Sequence, residues 1–334
     1  MKRKLNLLFI AIASALVIGI IFLTNDVNQL FKIFTEANKL WIVLALTCML
    51  LYCLLETGVL YYTANSIRKK LTFPKAFQTT MVGQLFNNIT PFASGGQPMQ
   101  LYYLTQASFP IGEASSILLM KFIVYQGALI VYSTVLLFVR LSFFTSQINK
   151  LGYIISLGYV VNFAVVIGLL CIGFFPLFTT KLTKGIISLL AKIRIIKNKE
   201  HSCHNAEQHI EDFHLVFKQL MTQKAILFKS IAITLLQLTA FFFIPFCICM
   251  ALQIENSSVL SVLAASAFVL MISSFIPLPG ASGGAEGSFY LLFGIFLIQP
   301  GILAVAILLW RFITYYLPIL VGILFCRLSN AKTT

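Results

Sequence analysis

Long apolar stretches recur along the whole chain and limit its fold before any other feature does. They run from Leu5 to Leu23, Leu40 to Tyr62, Ser115 to Val139, Leu151 to Phe178, Ala225 to Ala251, Val259 to Ile276 and Ile302 to Phe325. About 20 such residues cross a bilayer core as a helix. Only 10% of the residues are charged, against about 25% for a soluble domain, so the chain cannot solvate its own surface in water. The expected fold is an all-α polytopic membrane protein: one integral membrane domain over residues 1–334, with no room for a separate soluble catalytic domain. The first run follows Met1-Lys2-Arg3-Lys4. It is nearer a full span than the apolar core of a cleaved signal peptide, about 7–15 residues, and reads as an uncleaved first helix. Cys48, Cys53, Cys171, Cys247, Cys249 and Cys326 lie in or beside apolar runs as small hydrophobes, and Cys203 lies in a loop.

Basic residues accumulate on the cytoplasmic side of membrane proteins. Here they concentrate at Lys2 to Lys4, at Arg68, Lys69, Lys70 and Lys75, and at Arg327 and Lys332. The long basic loop 179–224 carries Lys181, Lys184, Lys192, Arg194, Lys197, Lys199, Lys218 and Lys224. Both termini and this loop are therefore expected inside, with the protein in the cell membrane. Parity then forces residues 77–106 to enter and leave on the cytoplasmic side, as a hairpin broken at Asn88-Ile89-Thr90-Pro91. Residues 258–298 must begin and end outside, broken at Pro277-Leu278-Pro279-Gly280. Parity also allows the second hairpin to be two full crossings. The expectation is six to eight transmembrane helices with one or two re-entrant hairpins.

The two breaks share a P-x-A-S-G-G pattern, Pro91 to Gly96 and Pro279 to Gly284, followed by Gln97 and by Glu286 near a new helix start. Interrupted segments at matching positions of two halves point to a transporter binding site, here in an inverted repeat. Ser94, Ser282 and the N–H groups after each break would suit an anionic headgroup. In a single break Gly and Pro could serve only packing and kinking; two matching patterns flanked by polar residues favour function.

The stretch Gly83-Gln84-Leu85-Phe86-Asn87-Asn88-Ile89-Thr90-Pro91 followed by Gly95-Gly96-Gln97-Pro98, together with Pro277 to Gly280 and Gly283-Gly284-Ala285-Glu286-Gly287, resembles the membrane region of the lysylphosphatidylglycerol synthase family. The resemblance extends over essentially the whole chain. It implies a flippase-like domain that moves a lipid, such as an aminoacylated phosphatidylglycerol, between leaflets. In the full-length synthases a cytosolic domain that transfers lysine from lysyl-tRNA follows; with the chain ending at Thr334, that activity is not expected here.

Ionisable residues inside spans are costly and point to function. Glu56, Lys121, Glu286 and Arg311 are of this kind. They could neutralise one another as structural pairs. Alternatively they form a headgroup path, with Lys121 and Arg311 for phosphate and Glu56 and Glu286 for an amine. Asn87, Asn88, Gln97 and Gln100 would add neutral hydrogen bonds, and Thr90, Pro91, Gly95, Pro279 and Gly283 would shape the breaks. In the long loop, His201 to His214 holds all four histidines but matches no standard zinc spacing, so no metal is expected. It reads instead as an amphipathic cytoplasmic helix with Ile210, Phe213, Leu215, Val216, Leu220 and Met221 as its stripe, its lysines facing anionic lipid heads. No P-loop, nucleic-acid motif or cofactor fingerprint appears. The leading function is a lipid flippase with membrane phospholipid as partner. The alternatives are a lipid-modifying transferase, such as a phosphatidylglycerol lysyltransferase, and a scaffold for a separate synthase or cell-envelope enzyme.

Overall fold

A computed structural model describes residues 27–67, 71–140, 148–192, 199–254, 258–274, 276–296 and 299–330. The first apolar run, Leu5 to Leu23, lies outside the described residues. All regular structure in the rest is helical. A short helix α1 (Val27–Glu36) precedes α2 (Lys39–Ile67), α3 (Phe73–Ile89), α4 (Gly96–Gln106) and α5 (Ile111–Val139). Next come α6 (Ile148–Phe174), α7 (Pro176–Lys192) and α8 (Lys199–Thr222). The remainder is α9 (Lys224–Ala251), α10 (Val259–Ser273), α11 (Gly284–Phe293), α12 (Pro300–Arg311) and α13 (Leu317–Asn330). A π-helical turn, Phe312–Tyr316, joins the last two.

Among the described residues, five segments are long and apolar enough to cross a membrane: Lys39–Ile67, Ile111–Val139, Ser156–Phe174, Lys224–Ala251 and Pro300–Cys326. The chain is a polytopic membrane protein. The run from Val259 does not reach a full span, because its helix stops at Ser273 after 15 residues. At 1.5 Å per residue that is about 22 Å, short of a core of about 30 Å. This region is a helix–break–helix hairpin, α10 and α11 packing on each other.

The described residues form two matching units, each a span, a hairpin and a second span. The first comprises α2, α3–α4 and α5; the second comprises α9, α10–α11 and α12–α13. Their leading spans pack along each other in opposite directions. Asn38 N donates to Ala251 O at 2.8 Å, Trp41 meets Phe246 edge-on at 6.1 Å, Tyr52 packs on Phe241 at 5.1 Å, and Lys229 sits over the Tyr62 ring at 5.2 Å. Numbers rise on one helix as they fall on the other, so the helices are antiparallel. Each hairpin's first helix packs on the closing span of the opposite unit: α3 on α13, through Gln78 Nε2 donating to Phe325 O at 3.0 Å, and α10 on α5, where Arg140 hydrogen-bonds Ser258 at the mouth.

Between the units, most of the expected loop 179–224 is helical. Helix α8 buries Phe213, Phe217 and Leu220 against the start of α5, where Ser116 Oγ donates to Phe213 O at 2.7 Å. The amphipathic reading holds, with two corrections: Leu215 faces out, 71% exposed, and Cys203 lies on the helix, not in a loop.

Candidate functional site where the two breaks meet

The shared sequence of the breaks becomes a shared backbone through the third residue of each turn, then diverges: Ser94 is helical at φ −78, ψ −16 where Ser282 is extended at φ −55, ψ 139, and Gly95 has φ −83 where Gly283 has φ 82. The residue before each proline is extended, as proline's ring requires: Thr90 at φ −119, ψ 147 and Leu278 at φ −110, ψ 147. Pro91–Ala93 and Pro279–Ala281 each make one 3-10 turn. The second residue of each is left-handed, Phe92 at φ 55, ψ 20 and Gly280 at φ 61, ψ 18. The third follows, with Ala93 at φ 51 and Ala281 at φ 52. The two turns pack against one another, and α3 also touches the second.

The donors expected to be open after each break are engaged. Ser94 Oγ donates to Pro91 O at 2.9 Å, and Ser282 Oγ to Pro279 O at 2.8 Å, so both hydroxyls close their own turns. Thr90 Oγ1 accepts from Gly95 N at 2.8 Å, and Asn87 Oδ1 accepts from Gly96 N at 3.0 Å. A Cβ on Gly96 would fall 2.0 Å from that Asn87 oxygen, which is why glycine stands there. In the second break Glu286 Oε2 accepts from Gly283 N at 2.7 Å. Gly95 N, Gly96 N and Gly283 N therefore serve as internal donors to caps of their own breaks.

The four intramembrane charges form two pairs. Lys121 Nζ lies 2.8 Å from Glu56 Oε1, and Gln84 Nε2 donates to the second Glu56 oxygen at 2.5 Å. Glu56, Lys121 and Arg311 are each at most 8% exposed. Arg311 Nε lies 2.7 Å from Glu286 Oε1, and its Nη1 donates to Gly280 O at 3.1 Å. The guanidinium is held between the rings of Trp310, at 5.0 Å, and Tyr315, at 5.2 Å. A buried charge needs such a partner and hydrogen bonds to be tolerated at all. The Tyr315 ring fills the space where Gly280 would carry a Cβ, 2.1 Å away, and its hydroxyl donates to Asn88 O at 3.4 Å. One aromatic side chain thus bridges the two breaks.

These groups surround a cavity of about 560 Å³. The expected residues Asn87, Asn88, Gln97, Gln100, Glu56, Lys121 and Arg311 line it. Thr90, Pro91, Ser94, Gly95 and Gly96, with Pro279, Ser282, Gly283, Gly284 and Glu286, stand behind the wall as its frame; Phe92, Ala93, Gly280 and Ala281 face inward from the same turns. The structure adds wall residues that the sequence reading did not select: Tyr52, Gln84, Gln126, Gln237 and Tyr315. For the glutamines the signal was a polar side chain inside an apolar run. Among the described residues, Arg311 Nη2, Asn88 Nδ2 and Gln126 Oε1 are buried without a hydrogen-bond partner. The cavity thus combines three members of the two neutralised charge pairs, uncommitted donors and an acceptor, and apolar walls such as Phe241, Phe289 and Phe293. That lining suits a molecule with a polar head and an apolar remainder.

Comparison with known proteins agrees with this architecture. Residues 7–322 match the family model described as the lysylphosphatidylglycerol synthase TM region. The chain is also similar to a UPF0104 membrane protein of Archaeoglobus fulgidus, 24% identical over 331 residues and covering 96% of each chain. With the family's region spanning nearly the whole chain and both broken hairpins inside it, this protein is a member of the lysylphosphatidylglycerol synthase TM region family.

Proposed function

We propose that the protein translocates a phospholipid between leaflets, binding the headgroup in the cavity between its two breaks. The carrying observation is that one cavity is walled by both broken hairpins and by three of the four intramembrane charges. In this reading the hairpins are re-entrant and enter from opposite faces, as the antiparallel leading spans support. The end of the bundle holding Lys75, Lys181, Lys184, Lys192, Lys218 and Lys224 is assigned to the cytoplasm by its basic excess. Both termini fall on that side of the cell membrane. Arg311 Nη2 and Asn88 Nδ2 would meet phosphate oxygens, since Arg presents its donors in a planar fork. An amine, as in an aminoacylated phosphatidylglycerol, would be met by Glu56 or by the Gln126 carbonyl. Alternate opening of the two hairpins would expose the headgroup to either side. With no P-loop in the sequence, movement in this scheme follows lipid gradients or coupled ions.

Reconstitution into liposomes carrying headgroup-labelled phosphatidylglycerol or its lysyl form tests this. The expected result is that a membrane-impermeant quencher removes signal from both leaflets when protein is present. Loss confined to the outer leaflet, for every anionic and aminoacyl lipid tried, overturns the proposal.

A further inference from the structure

Away from the cavity, helix α7 presents an apolar face that nothing described in the structure covers. Phe178, Leu182, Ile186 and Leu189 recur at helical spacing and are 43–61% exposed. Ile187 and Thr179 of the same helix are buried. The helix contains no acidic residue, and Lys181 and Lys192 lie beside the stripe, with Lys184 on the side toward α8. Of these, Lys184 is taken by Glu207 of α8 at 2.6 Å, an exposed ion pair that holds its pKa above the ordinary lysine value through the hydrogen bond and the charge. Lys181 and Lys192 are left exposed at the margin of the apolar face.

Pro176 separates this helix from α6. Its missing N–H frees Ile172 O, which accepts instead from Thr179 Oγ1 at 2.7 Å. At the resulting break lies a second hollow of about 300 Å³, walled by Cys171, Phe175, Leu177 and Phe178 with Lys181 at its edge. The preceding span, Ser156–Phe174, is the least covered of the five, 17% buried against 39–61% for the others. Its lipid-facing side chains, Phe163, Ile167 and Phe174 among them, lead directly into the hollow.

We infer that α7 lies along the bilayer interface and that the hollow at Pro176 binds one anionic phospholipid, an acyl chain against Phe175 and Phe178 and the phosphodiester at Lys181, with Lys192 drawing anionic heads to the same helix. An apolar stripe with lysines at its margin is the pattern of an interfacial helix. Each lysine near an anionic surface contributes about fivefold in binding, an effect that salt weakens. The site is separate from the cavity and does not depend on its function.

Two measurements on the full chain decide it. In nanodiscs, a Leu189→Trp variant should be quenched more by lipids brominated near the headgroup than by lipids brominated at the chain end, after subtraction of the parent's Trp41 and Trp310 signal. Absence of quenching places this face away from lipid, under protein or in water, and overturns the inference. In detergent, titration with phosphatidylglycerol should show binding that phosphatidylcholine does not reproduce. Lys181→Gln and Lys192→Gln should each weaken it about fivefold, and both losses should shrink at high salt. Phosphatidylglycerol binding unchanged in the double variant but lost in Asn88→Leu would assign the lipid to the cavity and refute the second site.

Discussion

The two halves of the molecule carry the same turn and the same burial of a basic residue, yet they are secured differently. In the first half the Lys121–Glu56 pair joins two continuous spans, and the break itself is capped by the neutral side chains of Asn87 and Thr90. In the second half the carboxylate has moved into the break: Glu286 holds Gly283 N with one oxygen and Arg311 with the other, while Arg311 also grips Gly280 O. The same proline turn is thus followed by a glycine in helical backbone held by uncharged caps in one half, and by a left-handed glycine held by an ion-paired carboxylate in the other. In the second half, electrostatics and backbone shape cannot be separated.

Breaking the pairs should give the largest effects. Arg311→Met leaves Glu286, its side chain only 13% exposed, without its partner and should cost about 3–5 kcal/mol of stability. Hydrogen exchange should rise at residues 279–287. Lys121→Met should cost a similar amount, yet leave exchange at residues 91–97 near the parent level, because that break is capped independently. Equal loosening of both breaks would erase the distinction. Next comes the left-handed residue. Gly280→Ala puts a Cβ on a positive φ and into the Tyr315 ring, and should cost about 2 kcal/mol or more, read as thermal or denaturant stability. The corresponding Phe92→Gly should act in the opposite direction. It relieves about 1–2 kcal/mol of left-handed strain, offset by about 0.4–1 kcal/mol of unfolded-chain freedom, so a small net gain is expected. Two changes of the same sign would show that the turns are not equivalent. Smallest of all, Tyr315→Phe removes one long hydrogen bond to Asn88 O and should cost about 0.5 kcal/mol.

The spans were legible because a run of apolar residues from Leu40 or Ala225 specifies a membrane helix locally. So was the equivalence of the breaks, since proline, the residue before it and the following glycines act on their own backbone. The pairing of charges was not. Glu56 could have met Arg311 as readily as Lys121 on sequence grounds, and only the packing of α2 against α5 selects between them. Capping of Gly96 by Asn87 was hidden for a related reason: a side chain nine positions earlier returns only because the chain turns back on itself. The short reach of α10 was missed because the apolar run continues past Ser273 to Ile276 while the helix does not. In the region taken for a loop, lysines spread among Leu182, Ile186 and Leu189 masked the stripe of α7.

The spacing of the two ion pairs along the chain also bears on how the protein is made. Glu286 and Arg311 are 25 residues apart, and can enter the bilayer together with their charge already neutralised. Glu56 precedes Lys121 by 65 residues. At a synthesis rate of about 5–20 residues per second, its carboxyl waits roughly 3–13 s for its partner. A lone acid at the centre of a span costs about 2.5–3.5 kcal/mol to insert, so an α2 that enters the bilayer on its own carries that cost until α5 brings Lys121.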